Sequence, residues 1–344
     1  MAGVLLVPSA VFSLFALLGR KTYPFPRKLA YWIAGFSILL LPFTLLAGRW
    51  VIRNVEPVWL LLPPLHVLAV GIPILWLVFL GIRELPLGSS KRAWGVFSSG
   101  LILGPLLILI IEIFVLTFLL VVFALYASSQ PDLVAELSRL ADRIMVSPQD
   151  STVLQQMIAP LLLRPIIAFG AVVFLSVIVP LLEEAIKPVG VWLLVGSGLT
   201  PAAGFAAGLL SGAGYALFEN LFYTASVTNW STLVFTRSGT ALMHMMTASL
   251  TGWALARAWR YRDYLGLGIV YLVTVLIHGL WNGLGVLSAA GQIAANQLAG
   301  TSLEELISAA PIGLMALSAA LFILLIKFNA DLRKSSVESA QNVL

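Results

Sequence analysis

Residues 164–196 read RPIIAFGAVVFLSVIVPLLEEAIKPVGVWLLVG, a run that is apolar almost throughout. At about 1.5 Å per residue, a helix of this length crosses the roughly 30 Å hydrocarbon core of a bilayer. Glu183, Glu184 and Lys187 nevertheless lie inside it. Because an ionisable side chain at the centre of such a helix costs at least about 2.5–3.5 kcal/mol, each needs a partner or a function. The run therefore predicts a membrane-spanning helix that carries a buried polar site.

The rest of the chain has the same character. Of its 344 residues 60% are apolar and 10% are charged, against roughly 45–50% and 25% in soluble domains. We predict an all-α, polytopic transmembrane helical bundle of about nine spans in a lipid bilayer. The predicted spans are residues 3–19, 29–48, 57–82, 97–127, 164–196, 201–225, 237–256, 264–288 and 310–328. The absence of cysteine excludes a thiol nucleophile, a disulfide framework and a Cys-ligated metal.

Basic residues between the spans predict the orientation. Arginines and lysines concentrate in loops 19–28, 83–96 and 257–263 and in the tail after residue 326, all on one side of the predicted bundle. By the positive-inside rule this side is cytoplasmic, so the N-terminus is expected outside and the C-terminus inside. The net charge of +5 is thus read as a topology signal, and no nucleic-acid partner is expected.

The positions of the polar residues suggest three regions. Residues 1–163 form an N-terminal accessory transmembrane region with an extracytoplasmic amphipathic segment at 128–160. Residues 164–288 form a catalytic core of four transmembrane helices. Residues 289–344 contain an extracytoplasmic interfacial segment, the last transmembrane helix and a short cytoplasmic tail.

Polar residues recur at similar depth in the four core spans. One helix face carries Glu183 and Lys187, whereas Glu184 is expected about 100° away from it. The other three spans contribute Glu219, Asn220 and Tyr223, then Arg237, His244 and Thr247, and finally His278 with Asn282. A structural core has no need of so many buried ionisable groups, so we expect one polar cavity with a chemical function.

The residue types restrict that chemistry. A partly desolvated glutamate is a competent base, and an imidazole beside a carboxamide can stabilise an oxyanion, so the set is suited to adding water to an amide. A serine mechanism and an aspartyl dyad are not expected, because a Gly-x-Ser-Gly element is missing and all aspartates lie outside the predicted spans. A zinc site formed by Glu183 or Glu219 with His244 and His278 remains chemically possible.

Four ordered motifs resemble a known family. Glu183-Glu184-x-x-Lys187, Phe218-Glu219-Asn220 with Tyr223, Arg237 followed by His244-x-x-Thr247, and His278-x-x-x-Asn282 are similar to motifs of the PrsW-type intramembrane proteases. That family is related to the CAAX-prenyl endoproteases and bacteriocin-processing proteins. The resemblance covers roughly residues 165–288 and implies a glutamic-type peptidase without a cofactor.

The resemblance also implies roles for individual residues. Glu183 would be the base, supported by Glu184 and Lys187, and His278 with Asn282 would hold the oxyanion. Glu219 and His244 would polarise water or position substrate. Four further residues are expected to support the site or position the substrate: Asn220, Tyr223, Arg237 and Thr247.

The predicted function is that of an intramembrane endopeptidase in the cell membrane. Its partner would be a transmembrane protein substrate, for example an anti-sigma factor. Two alternatives stay open at this point. One is a zinc-dependent version of the protease with Glu183, His244 and His278 as ligands, and the other is a non-catalytic scaffold or chaperone that binds transmembrane helices in the same cavity.

Overall fold

The computed structural model describes residues 2–20, 27–146, 159–161, 163–222, 230–298, 300 and 302–341. Within these ranges the chain is helical and contains no strand. The helices are α1 (Ala2–Leu17), α2 (Arg27–Asn54), α3 (Val58–Gly81), α4 (Ser90–Ser98), α5 (Gly104–Ser128), α6 (Pro131–Val146), α7 (Pro165–Val173), α8 (Val179–Ile186), α9 (Val189–Trp192), α10 (Pro201–Phe222), α11 (Trp230–Tyr261), α12 (Tyr264–Leu298) and α13 (Ser302–Gln341). π-Helical turns at Ser99–Leu103 and Phe174–Ile178 join α4 to α5 and α7 to α8.

Seven helical segments in the described ranges are long and apolar enough to cross a membrane. They are Trp32–Asn54, Val58–Gly81, Ser90–Ser128, Pro165–Trp192, Pro201–Leu221, Tyr264–Gln292 and Leu303–Ser335. The chain is therefore a multi-pass, all-helical membrane protein. The other two predicted spans are helices α1 and α11, but α1 is only 16 residues long and α11 carries many polar side chains. The count of nine spans and the orientation of the termini stay predictions.

The helices divide into two compact units. Unit 1 comprises Met1–Leu106, Leu182–His278 and Met315–Leu344, and unit 2 comprises Leu107–Leu181 and Gly279–Leu314.

Unit 1 is organised around α10. The apolar segment of this helix, Pro201–Leu221, is 83% buried, far more than any of the other six. Glycines allow its backbone to lie directly against α11, since a Cβ at Gly208 would fall on the carbonyl oxygen of Ala248 and one at Gly212 would lie 2.7 Å from that of His244. Close approach through small residues is the usual way in which membrane helices associate. This packing brings Glu219 and His244 to adjacent positions.

Unit 2 contains the predicted amphipathic helix. Helix α6 packs Leu133, Leu137 and Leu140 against α5 and the start of α7. Arg164 donates to Asp132 at 2.9 Å and to Glu136 at 2.7 Å, which ties α6 to the residue before α7. The segment predicted at the interface, 289–309, is distributed between the end of α12 and the start of α13.

Candidate metal centre

The centre begins where α8 ends. The backbone N–H of Lys187 donates to the carbonyl of Glu183, which turns the fully buried lysine back over both carboxylates. Its Nζ lies 3.0 Å from Glu183 Oε2 and 2.8 Å from Glu184 Oε1. Although Glu184 is expected about 100° from the helix face of Glu183, it also contacts Lys187, because the long lysine side chain reaches a carboxylate three residues earlier.

His278 reaches this pair from α12. Its Nδ1 lies 2.9 Å from Glu184 Oε1 and 3.1 Å from Lys187 Nζ. Its Nε2 faces Glu183 Oε2 at 3.9 Å. Nδ1 therefore faces both a carboxylate, which only accepts hydrogen bonds, and an ammonium group, which only donates them. Donation to Glu184 would place the ring proton on Nδ1 and leave the lone pair of Nε2 on the side of Glu183.

His244 reaches the same place from α11. Its Nε2 lies 2.6 Å from Glu219 Oε2, and Glu219 Oε1 lies 3.0 Å from Arg237 Nη2. The rings of His244 and His278 are 5.3 Å apart and nearly perpendicular. His244 Nδ1 is buried and has no hydrogen-bond partner among the residues that the structure describes. With its proton held at Nε2 by Glu219, this nitrogen presents an unused lone pair.

Glu183, His244 and His278 together could hold a metal ion. Each offers one ligand atom, and the three atoms lie within 4.8 Å of one another. A second carboxylate orients each histidine: Glu184 contacts His278, and Glu219 contacts His244. Metal-binding histidines are commonly held in this way by a carboxylate on the other ring nitrogen. The orphaned lone pair of His244 and this donor set fit a divalent cation.

The charge of the cluster also suits a cation. Glu183, Glu184 and Glu219 outnumber the two basic groups around them, Lys187 and Arg237. With neutral histidines the cluster therefore carries one net negative charge. Two imidazoles and one carboxylate, with room for a further ligand, are typical of catalytic zinc.

The remaining predicted site residues have other contacts. Asn220 Oδ1 accepts from Arg237 Nε at 2.6 Å, and Thr247 Oγ1 donates to the carbonyl of His244 at 3.3 Å. Asn282 belongs to unit 2, where its Nδ2 donates to the carbonyl of Leu175 at 2.8 Å. Tyr223 lies outside the described residues.

Two residues that contact the centre, Tyr215 and Ser211, were not predicted from the sequence. The ring of Tyr215 lies 5.3 Å from that of His244 and 5.4 Å from Lys187 Nζ. Ser211 donates to the carbonyl of Lys187 at 2.6 Å. Helical spacing could have revealed both residues. Ser211, Tyr215 and Glu219 follow one another at intervals of four residues on α10, so they lie on the same side of the helix.

Comparison with protein families identifies the chain. The model of the PrsW family intramembrane metalloproteases matches residues 93–312. The chain belongs to the PrsW family. Neither the curated proteins nor the solved structures contained a match. This membership confirms the resemblance carried by the four motifs and makes the chain a protease of the membrane.

The PrsW assignment also corrects the cofactor prediction. The family is described as one of metalloproteases, and the buried donor set of Glu183, His244 and His278 fits a metal ion. The expectation of a protease without a cofactor is therefore wrong. That expectation came from the resemblance, which implied a glutamic-type peptidase. The three candidate ligands come from three separate helices, so no compact motif such as His-Glu-x-x-His marks them in the sequence.

Proposed function

We propose that this PrsW-family chain is a metal-dependent intramembrane endopeptidase that cleaves a membrane-anchored protein. The observation that carries the proposal is the convergence of Glu183, His244 and His278 within 4.8 Å, from three helices, at a buried position. Family membership supports the peptidase activity, and the donor set supports zinc as the metal. The predicted anti-sigma factor remains one example of a suitable substrate.

The chain's own residues prepare the centre for zinc in two ways. A bound zinc ion supplies a Lewis acid that activates water and polarises the scissile carbonyl. Glu219 and Glu184 fix the histidine tautomers so that His244 Nδ1 and His278 Nε2 are free to bind the ion. Lys187 and Arg237 neutralise these orienting carboxylates, which otherwise would carry uncompensated buried charge.

Of the two adjacent glutamates that contact Lys187, Glu183 is the one that water can reach. Its side chain is 11% exposed, whereas that of Glu184 is fully buried. We therefore assign Glu183 to the ligand set and Glu184 to the orientation of His278. Glu183 was also predicted to be the base, which the Glu183→Gln variant tests. Asn282 was predicted to hold the oxyanion, which the Asn282→Ala variant tests.

The proposal is tested by cleavage of a purified single-span protein in detergent micelles. The Glu183→Gln, His244→Ala and His278→Ala variants are expected to lose more than about 100-fold in activity, since orienting partners alone contribute about 10–100-fold. Glu84→Gln is the matched control, because Glu84 forms an exposed ion pair with Arg333. A zinc chelator is expected to abolish cleavage, and added zinc to restore it.

Metal content distinguishes the roles of Glu183. Elemental analysis of the purified Glu183→Gln variant is expected to show loss of zinc. Retention of zinc with loss of cleavage would instead assign Glu183 as the base. Cleavage that persists after metal removal would contradict metal dependence. A wild-type protein that binds the substrate without cutting it would favour the scaffold alternative.

A further inference from the structure

His66 on α3 connects two helices of the metal centre. Its side chain is buried, and its Nε2 lies 2.9 Å from the backbone carbonyl of Asn220 in the last turn of α10. Trp230 Nε1, at the start of α11, donates to His66 Nδ1 at 3.1 Å. His66 thus contacts both α10 and α11.

These two contacts fix the tautomer of His66. The indole nitrogen of Trp230 can only donate, so His66 Nδ1 must accept. The ring proton is therefore on Nε2, where it is donated to the carbonyl of Asn220.

A continuous chain of contacts leads from His66 to the centre. The side chain of Asn220 accepts from Arg237 Nε at 2.6 Å. Arg237 Nη2 lies 3.0 Å from Glu219 Oε1, and Glu219 Oε2 lies 2.6 Å from His244 Nε2. His66 thus contacts Asn220, which directly follows Glu219 in α10, and Glu219 is the carboxylate that orients His244.

We infer that His66 is a positioning residue for the metal centre. Its hydrogen bond to the carbonyl of Asn220 holds the part of α10 that carries Glu219, and so positions this carboxylate against His244. The inference rests on the proposed function and extends it to a helix that the family model does not include, because that match begins at residue 93. His66 itself does not belong to the described group of possible metal ligands, which is Glu183, His244 and His278.

Three variants separate the two hydrogen bonds of His66. In His66→Gln the amide nitrogen can replace Nε2 and still donate to Asn220, but the acceptor for Trp230 is lost. In His66→Asn the amide oxygen can replace Nδ1 and still accept from Trp230, but the donor to Asn220 is lost. His66→Phe keeps the ring and loses both hydrogen bonds. The proposal requires the contact with Asn220, so Gln should rescue the centre better than Asn.

The readout is the apparent zinc affinity of the purified protein, measured by competition with a chromophoric chelator. We expect an affinity within about threefold of wild type for His66→Gln, and a loss of about tenfold or more for His66→Asn and His66→Phe, in the range of orienting residues. Glu219→Gln serves as the positive reference. Asn329→Ala is the structural control, because Asn329 is buried and donates to the carbonyls of Gly81 and Arg83, away from the centre.

The outcomes distinguish this inference from the proposed function. A wild-type protein that binds no zinc contradicts the proposed metal centre. Weakened binding in Glu219→Gln, together with unchanged affinity in all His66 variants, overturns only the role of His66. Equal losses in His66→Gln and His66→Asn also overturn it, because a purely structural histidine would not distinguish its two nitrogens. If His66→Phe does not fold, the comparison of Gln with Asn still decides.

Discussion

Replacing Lys187 by methionine tests whether the buried ion pairs stabilise unit 1. Lys187 is fully buried and contacts Glu184 at 2.8 Å and Glu183 at 3.0 Å. Methionine is also long and unbranched, so it retains much of the packing while removing the charge. The change therefore isolates the electrostatic contribution of the ammonium group.

The expected loss follows from what remains around each carboxylate. Glu183 is 11% exposed and can be hydrated. Glu184 is fully buried and, within the described part of the chain, would keep only His278 as a hydrogen-bonding partner. Removing one member of a buried ion pair costs about 3–5 kcal/mol because the other charge is left uncompensated. We expect the free energy of unfolding to fall by about this amount.

Unfolding by titration with SDS in mixed micelles measures this loss. Lys91→Met is the matched control, since Lys91 is exposed, and its effect should stay within about 0.5 kcal/mol. The double variant Lys187→Met/Glu184→Gln removes the orphaned charge and should recover about 2 kcal/mol. Glutamine still offers an oxygen to His278.

Two results would refute this reasoning. A loss below about 1 kcal/mol in Lys187→Met would mean that the ion pairs contribute no more than a surface pair does. A double variant less stable than Lys187→Met alone would mean that Glu184 is not the group left uncompensated.

Three further predictions concern packing, the oxyanion and pH. Gly208→Ala should cost about 1–3 kcal/mol in the same unfolding assay because its Cβ would meet the backbone of α11, whereas Gly268→Ala, whose Cβ would meet nothing, should be neutral or gain up to about 1 kcal/mol. Asn282→Ala should lower kcat less than tenfold, since its amide already donates to Leu175, and a loss of about 100-fold or more would instead establish an oxyanion role. The hydrogen bond from Arg164 lowers the pKa of Asp132 below its ordinary value of 3.8. The contact between the two residues therefore stabilises the protein fully above pH 3.8, and this stabilisation is lost as the pH falls through the lower pKa of the folded state. Melting curves should therefore show that Asp132→Asn lowers stability at neutral pH and that the difference disappears in acid; a difference that persists there would contradict the pairing.

The sequence predicted the helices and the membrane because both depend on local patterns. Apolar runs of spanning length, interrupted by few charges, account for the seven membrane-spanning segments, and the spacing of leucines predicted helix α6. The same local reasoning could not settle the number of spans. Helix α11 is polar because its polar residues face other helices, and hydropathy does not distinguish a protein neighbour from water.

For the candidate site, too, the sequence predicted one part and the tertiary structure decided the rest. The sequence by itself identified Glu183, His244 and His278, because ionisable residues inside apolar helices are costly enough to indicate a function. Only the tertiary structure decided their partners, since these depend on the rotation and spacing of separate helices. It paired Glu184 with His278 and Glu219 with His244, left His244 Nδ1 free, and brought His66 to Asn220 across 154 residues of chain. The candidate metal site depends on that geometry, because its three donors lie on three helices and come together only when the helices pack.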